Sequence, residues 1–306
     1  MSDTPDSDPK SGTGSTLAFL FLGMAIFGSA TPVSRIIGQD FPVMLAAGLR
    51  VGLGFLALSP LAFAHRHEIA RIRKADWVRI AVIAAFGMFG FSVLMLYGMR
   101  LIPGAAGAVV MSTAPAITAA GAILFLKESV TVPKLIAIAL AVAGVLILNL
   151  MSQGESGGLI IAGSLLVLAA VCCEAVYTLA GRTTTQTVSP VLVALLSAAM
   201  AVPFFLPFAI WQGLGWDWSQ ASPRSWTALA WYGAGTLALG SWLWYLGVSK
   251  AKGATAAGFM AVMPCSALIL SYVLLDEPFE WVHLAGFGVV LASVLLMSRE
   301  HARSAD

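Results

Sequence analysis

Apolar residues come in ten long runs, separated by short polar or glycine- and proline-containing breaks: 16–37, 41–63, 76–98, 102–126, 132–151, 158–181, 189–212, 224–246, 253–275 and 281–298. Each is close to the roughly 20 residues that an α-helix needs to cross a bilayer core. Lipid offers no partner to an open strand edge, so the pattern predicts an all-α integral membrane protein with ten transmembrane helices. The stretch from Ser2 to Thr16 is rich in Asp, Pro, Ser and Gly. It predicts a disordered tail at 1–15, and 299–306 is read as a second, C-terminal tail. The run Leu17 to Ala30 ends in Gly28-Ser29-Ala30, like the cleavage site of a secretory leader. Its flank, however, carries Asp3, Asp6 and Asp8 against Lys10. A leader starts basic, so the run is read as a retained first helix.

Within these runs one pattern occurs twice. Trp77, Gly98, Gly104, Met111, Pro115 and Glu128 recur as Trp226, Gly247, Gly253, Met260, Pro264 and Glu277, each pair 149 residues apart (226 − 77 through 277 − 128) with no gap. Duplicated membrane spans mark secondary transporters, whose substrate site lies between the copies near the bilayer midplane. The chain therefore divides into a first five-helix repeat, 16–151, and a second, 158–298. Five crossings is an odd number, so the second copy enters the membrane inverted. That arrangement provides two pseudo-equivalent conformations, one open to each side. The duplication is strong over the last three spans of each copy and weak over the first two.

Charge then gives an orientation. Lys10, Arg66, Arg71, Arg73, Lys74, Arg79, Lys127, Lys134, Arg182, Lys250, Lys252, Arg299 and Arg303 fall on one side of a ten-span bundle. The other side has Arg100 and Arg224, with Arg35 near a helix end. Basic residues stay on the cytoplasmic side, which predicts both termini inside, N-in and C-in.

Composition excludes other classes. The chain is 59% hydrophobic and 10% charged, where soluble domains carry about 25% charge. A net charge of +2 points to no nucleic-acid partner. Cys172, Cys173 and Cys265 lie in apolar runs and read as small buried hydrophobes, with neither a disulfide framework nor zinc spacing. No phosphate-binding glycine loop is present, so ATP hydrolysis does not drive the chain. The four histidines, His65, His67, His283 and His301, support no Ser/His/Asp set. The expectation is no enzyme, no cofactor and no metal, with lipid as the surrounding partner. A monomer is expected, with the Gly48/Gly52 face open to an intramolecular or a dimer contact.

Leu96-Tyr97-Gly98, Gly104-Ala105-Ala106, Pro115 and Phe125-Leu126-Lys127-Glu128 return as Leu246-Gly247, Gly253-Ala254-Thr255, Pro264 and Leu275-Asp276-Glu277. Over nearly the whole chain this pattern resembles the ten-helix EamA-type members of the drug/metabolite transporter superfamily. The motif is specific for the superfamily and silent on cargo. Overall length, the glutamate in the inner half of 158–181 and the aromatic-rich spans 76–98 and 224–246 look most like the superfamily's bacterial aromatic amino-acid exporters. The resemblance implies a secondary transporter in the bacterial inner membrane. It would export small metabolites, amino acids with an aromatic preference first, by alternating access around a central cavity. Spans 16–37, 76–98, 102–126, 158–181, 224–246 and 253–275 would line that cavity, and 132–151 and 281–298 would brace the outside. Drug, nucleoside or sugar cargo is the first alternative. A membrane enzyme or sensor is the second, and it would need a catalytic cluster or soluble domain that the sequence lacks.

Candidate site residues follow from chemistry that is expensive in lipid. Glu174 lies within an apolar span, where a carboxylate costs about 2.5–3.5 kcal/mol on insertion scales. It is read as a cavity acid that meets a substrate ammonium or exchanges a proton; the bland alternative is a structural carboxyl bonded to Tyr177 or a neighbouring helix. Arg50 sits in Gly48-Leu49-Arg50-Val51-Gly52, a small-residue pattern for close helix contact. A structural pairing is favoured for it over binding a substrate carboxylate. Arg35 shares a helix face with Gly28 and Thr31, so Thr31 and Arg35 are candidates at the outer mouth, an interface anchor being the commoner role for Arg35. Met111 and Met260 suit an adaptable apolar pocket. Tyr97 and Trp242 are the aromatic candidates, with Trp244 and Tyr245 beside them. The substrate set is thus Glu174, Tyr177, Tyr97, Met111, Met260, Trp242 and Thr31, with Pro115 and Pro264 as paired hinges. Trp211, Trp216, Trp218 and Trp226 are assigned to an interfacial belt. Glu128 and Glu277 are expected to cap or pair near 132–151 and 281–298.

Overall fold

A computed structural model of the chain describes residues 9–127, 130–132, 134–136, 138–140, 142–143, 157–248, 250–251, 259–281, 283–285, 288 and 292. Among these the chain is helical throughout, with no strand. Helix α1 runs as Pro9–Gly28 and, after a break at Ser29, as Ala30–Asp40. It is followed by α2 (Val43–Phe63), α3 (Lys74–Leu101), α4 (Gly104–Phe125), α5 (Gly158–Thr184) and α6 (Pro190–Leu214). Helix α7 is built from the pieces Pro223–Ala230, Trp231–Gly240 and Ser241–Val248, and α8 is the shorter Val262–Leu275. Six of these helices, α1 from Gly14 onwards and α2 to α6, are long and apolar enough to cross a membrane. The first helix starts at Pro9, ahead of the 16 read from the sequence, although its membrane-competent part starts at Gly14. The predicted spans 132–151 and 281–298, most of the two tails and Glu128 lie largely or wholly outside the described residues.

The duplication is visible in the backbone at two places where side-chain pattern says little. Helices α3 and α7 each widen into a π-turn, over Ile83–Gly90 and Trp231–Gly240, which are equivalent stretches of the two copies. Helices α4 and α8 each end on a non-glycine residue in the left-handed region, Lys127 (φ 54°) and Asp276 (φ 52°), again 149 apart (276 − 127). Left-handed backbone strains a residue with a Cβ. Its recurrence marks a helix stop that both copies retain.

The copies also exchange helices. Gly98 of α3 lies so close to α5 that a Cβ there would stand 2.7 Å from Val167 Cγ2 and 3.0 Å from the Gly163 carbonyl oxygen. At the equivalent place, a Cβ on Gly247 of α7 would stand 2.7 Å from the Leu20 side chain of α1. Each copy thus buries its third span against the first span of the other, and Val167 and Leu20 are fully enclosed there. Helix α2 packs on α6, with Gly48 against Phe205 and Ala209, while Gly52 faces open space. The small-residue pattern around Arg50 is therefore used in part, and inside the chain.

At the end of the bundle that carries the basic loop, Asp76 opens α3. It is 1% exposed and accepts hydrogen bonds from Arg73 (2.9 Å), Arg79 (2.6 Å) and the Thr187 hydroxyl (3.1 Å). Glu68, in the short turn Arg66–Arg71, bonds the His65 ring (2.9 Å) and accepts from the Ser189 amide (3.2 Å), so the loop is tied to the α5–α6 connection. The His65 contact, helped by Ser189, holds the Glu68 carboxyl below its usual range. A carboxyl depressed on folding adds stability above its unfolded value, and that stability is lost as pH falls through the folded one. Protection of the Ser189 amide against hydrogen exchange, corrected for intrinsic rate, is therefore expected to hold from pH 7 to 5. It should fall only below the ordinary glutamate value of about 4.3.

Candidate functional site

Seven helices, drawn from both copies, surround one cavity. Its walls are Met24, Phe27 and Ala30 of α1, Arg50 of α2, Gly87, Met88 and Phe91 of α3, Met111 of α4 and Glu174, Tyr177 and Thr178 of α5. Thr236, Leu237, Ser241 and Trp244 of α7 and Met260 and Met263 at the start of α8 complete it. The empty space, open mouth included, is about 880 Å³. Both π-turns contribute to the wall, through Gly87 and Met88 on one side and Thr236 and Leu237 on the other. Such turns displace a helix from its regular ladder and concentrate at functional sites. Gly87 has a steric reason of its own, since a Cβ there would lie 2.7 Å from the Tyr177 Cβ.

Two charged residues face this space, whose wall is otherwise apolar and aromatic apart from Thr178, Thr236 and Ser241. Glu174 has its Oε2 buried without a hydrogen-bond partner. The Tyr177 hydroxyl, one turn along α5, pairs instead with Tyr245 at 2.9 Å. Arg50 is 7% exposed. It donates to the Ser92 hydroxyl, and its guanidinium rests over the Tyr232 ring at 4.2 Å and near Phe91 at 5.6 Å, while its Nε has no partner. Rings beneath a desolvated guanidinium supply part of what water would, about 2 kcal/mol. Arg50 and Glu174 form no ion pair with each other.

The predicted residues divide cleanly. Glu174, Tyr177, Met111 and Met260 come together on the wall; Tyr97, Trp242 and Thr31 do not. Thr31 is buried against Gly107, Tyr97 is 39% exposed on the surface, and Trp242 is half-buried while Trp244 takes the cavity face. Pro115 and Pro264 sit in the first turns of Ala114–Leu126 and Val262–Leu275, just after breaks at Ser112-Thr113 and Met260-Ala261. A proline in a first turn forfeits no helix hydrogen bond. The two copies therefore interrupt the helix at matching positions without losing hydrogen bonds to proline.

At the opposite end of the bundle two residues, Arg35 and Glu277, have partners other than those expected. Arg35 is neither a mouth residue nor a lipid anchor; it donates to the carbonyls of Met99 and Arg100 at 2.8 Å each. Arg100 returns the contact, donating to Gly38 (2.6 Å) and to Phe41. The C-terminal ends of α1 and α3 are capped by each other's arginine, where a cation is favoured by the helix dipole. Trp216 and Trp226 pack on the buried Phe41 ring at 4.9 Å each, and Trp218 stacks on Trp226 at 6.0 Å, so the three rings form one cluster over Phe41. Glu277 reaches the other copy: its carboxylate accepts from the amides of Gly104 (2.6 Å) and Ala105 (2.8 Å), the first of α4. The Asp40 carboxylate likewise holds the Ser222 amide (3.0 Å) and hydroxyl (2.8 Å) across the copies. Replacing Glu277 by Ala strips two helix-start amides of a charged acceptor. Unfolding in detergent should report a loss of about 2–3 kcal/mol, with Glu277→Gln intermediate.

Comparison with known proteins adds an independent line. The model of the EamA-like transporter family matches residues 14–150 and again 161–299, one match per copy. The chain is 32% identical over 279 residues to the uncharacterized transporter YetK of Bacillus subtilis (strain 168), covering 90% of this chain and 84% of that one. It is 24% identical over 281 residues to a probable terminal-alkyne amino-acid exporter of Streptantibioticus cattleyicolor, covering 92% of each. A solved crystal structure superposes with a TM-score of 0.64 over 94% of this chain and 97% of its own length, at 16% identity, a likeness of fold alone.

Proposed function

The chain belongs to the EamA-like transporter family, and from that premise we propose that it exports amino acids, aromatic ones first, by alternating access around the central cavity. It is a multi-pass membrane transporter and not an enzyme, as its family and relatives are. The observation that carries the cargo reading is the unpartnered carboxylate oxygen of Glu174 in a cavity otherwise walled largely by Met, Phe, Tyr and Trp side chains. A lone buried acceptor beside apolar and aromatic surface suits a small molecule with one ammonium group and an apolar side chain. The amino-acid exporter among the relatives supports the same class of cargo.

In this reading ten spans form two inverted repeats, with both termini in the cytoplasm of the bacterial inner membrane. Pro115 and Pro264, next to matching helix breaks, serve as the hinges about which the copies rock. Met111 and Met260, symmetric across the cavity, adapt to cargo shape. Apolar fit discriminates weakly, so the substrate range is broad.

Counterflow in liposomes holding the purified protein tests the proposal, with labelled tryptophan, phenylalanine and threonine and a sugar control. Saturable exchange of the amino acids, aromatics fastest, is the expected result. Exchange of the sugar with none of the amino acids would overturn the cargo assignment while leaving the transporter.

A further inference from the structure

Arg50 gives the same cavity a second pole. A guanidinium has five N–H donors. Here Ser92 takes one, two rings cover its face, and Nε is buried without a partner. No carboxylate pairs with it among the ion pairs of the described residues. A structural arginine in an apolar bundle would be expected to have such a partner, because an unmatched buried charge is costly. Glu174, across the cavity and from the other copy, is in the same condition.

The two charges line the same cavity. The stretch Gly87–Ser92 of α3 touches both sides, Gly87 against Tyr177 and Ser92 against Arg50. Arg50 and Glu174 form no ion pair with each other, so a ligand with both charges finds each of them unmatched.

We infer that Arg50 binds the carboxylate of the cargo while Glu174 takes its ammonium, so that the cavity selects zwitterions. This rests on the amino-acid reading proposed above and narrows it. A zwitterion satisfies both poles and adds no net charge to the bundle. An amine without a carboxylate leaves Arg50 unmatched, and an acid without an amine does the same to Glu174. Planar, forked donors recognise carboxylates in a way that a lysine cannot, so Arg50→Lys is not a conservative change here.

The test is competition against labelled tryptophan counterflow by unlabelled tryptophan, tryptamine (no carboxylate) and indole-3-propionate (no amine). With the unaltered protein, tryptophan should compete about 100-fold better than either analogue, the affinity ratio that follows from leaving one buried polar group unpaired. Tryptamine competing within a few-fold of tryptophan would overturn the inference without any variant. Arg50→Met should shift the tryptamine-to-tryptophan ratio about 100-fold towards tryptamine, with Arg50→Lys between. If Arg50 only braced α2 against Tyr232, both ligands would weaken in the same proportion and the ratio would stay put. Absence of any amino-acid counterflow in the unaltered protein would bring down the cargo reading and this inference with it. Amino-acid counterflow with equal competition by tryptamine would bring down this inference alone.

Discussion

Glu174→Gln is expected to raise thermal stability and lower transport at once. The substitution keeps the side chain's shape and removes a charge from an apolar span, where that charge costs about 2.5–3.5 kcal/mol on insertion scales. No hydrogen-bond partner of Oε2 is lost, because it has none. The melting temperature in detergent should therefore hold or rise. Tryptophan counterflow should fall about 10- to 100-fold, since a hydrogen bond to a charged group contributes about 1.5–3 kcal/mol. A structural carboxyl would show the reverse, with a lower melting temperature and unchanged flux at matched protein. That outcome would remove Glu174 from the mechanism.

The second large effect lies at the helix exchange. Gly98→Ala places a methyl 2.7 Å from Val167 Cγ2 and 3.0 Å from a backbone oxygen of Gly163. The backbone oxygen cannot rotate away, so α3 and α5 must separate. Overpacking of this kind costs about 1–3 kcal/mol, more for a bulkier Gly98→Leu. Gly247→Ala meets Leu20 at the equivalent contact, including its backbone nitrogen at 3.0 Å, and should cost a similar amount. The two sites share no partner, so the double variant should lose about the sum. Gly52→Ala is the control. Nothing lies within 4 Å of a Cβ there, and alanine is the better helix former, so its melting temperature should hold or rise, whereas a drop equal to that of Gly98→Ala would refute the packing explanation.

How much of this was legible in the sequence differs by kind of residue. The helical membrane class was readable, because run length and polarity are set by the bilayer. Met111 and Met260 were found through the repeat, and Glu174 through the cost of its charge; each stands on the cavity wall. The failures have physical causes. Residues two apart on a helix differ by about 200° around its axis, so Trp242 and Trp244 cannot share a face. The π-turn just before them shifts the register that would have decided between the two. Nothing in Trp231–Gly240 as a string of residues announces that turn. Thr31 and Arg35 share a face as predicted, but that face meets α3 and α4 rather than the cavity. Arg50 carried the same signal as Glu174, a charge in an apolar run. Its small neighbours suggested packing, and Gly48 does pack, yet the arginine between them opens on the cavity. Glu277 was expected near its own following span because sequence proximity is the default guess; its actual partners lie 172 and 173 residues away.

The exchanged packing also sets an order of assembly on the growing chain. Helix α1 is made first, but the residue that closes on Leu20 is Gly247, near the end of α7. Helix α3 likewise waits for Gly163 and Val167 of α5. The ribosome must therefore complete most of the second copy before Leu20 has the neighbour that closes on it. Chains that stall between the copies leave the Leu20 face of α1 and the Gly98 face of α3 without the helices that close on them.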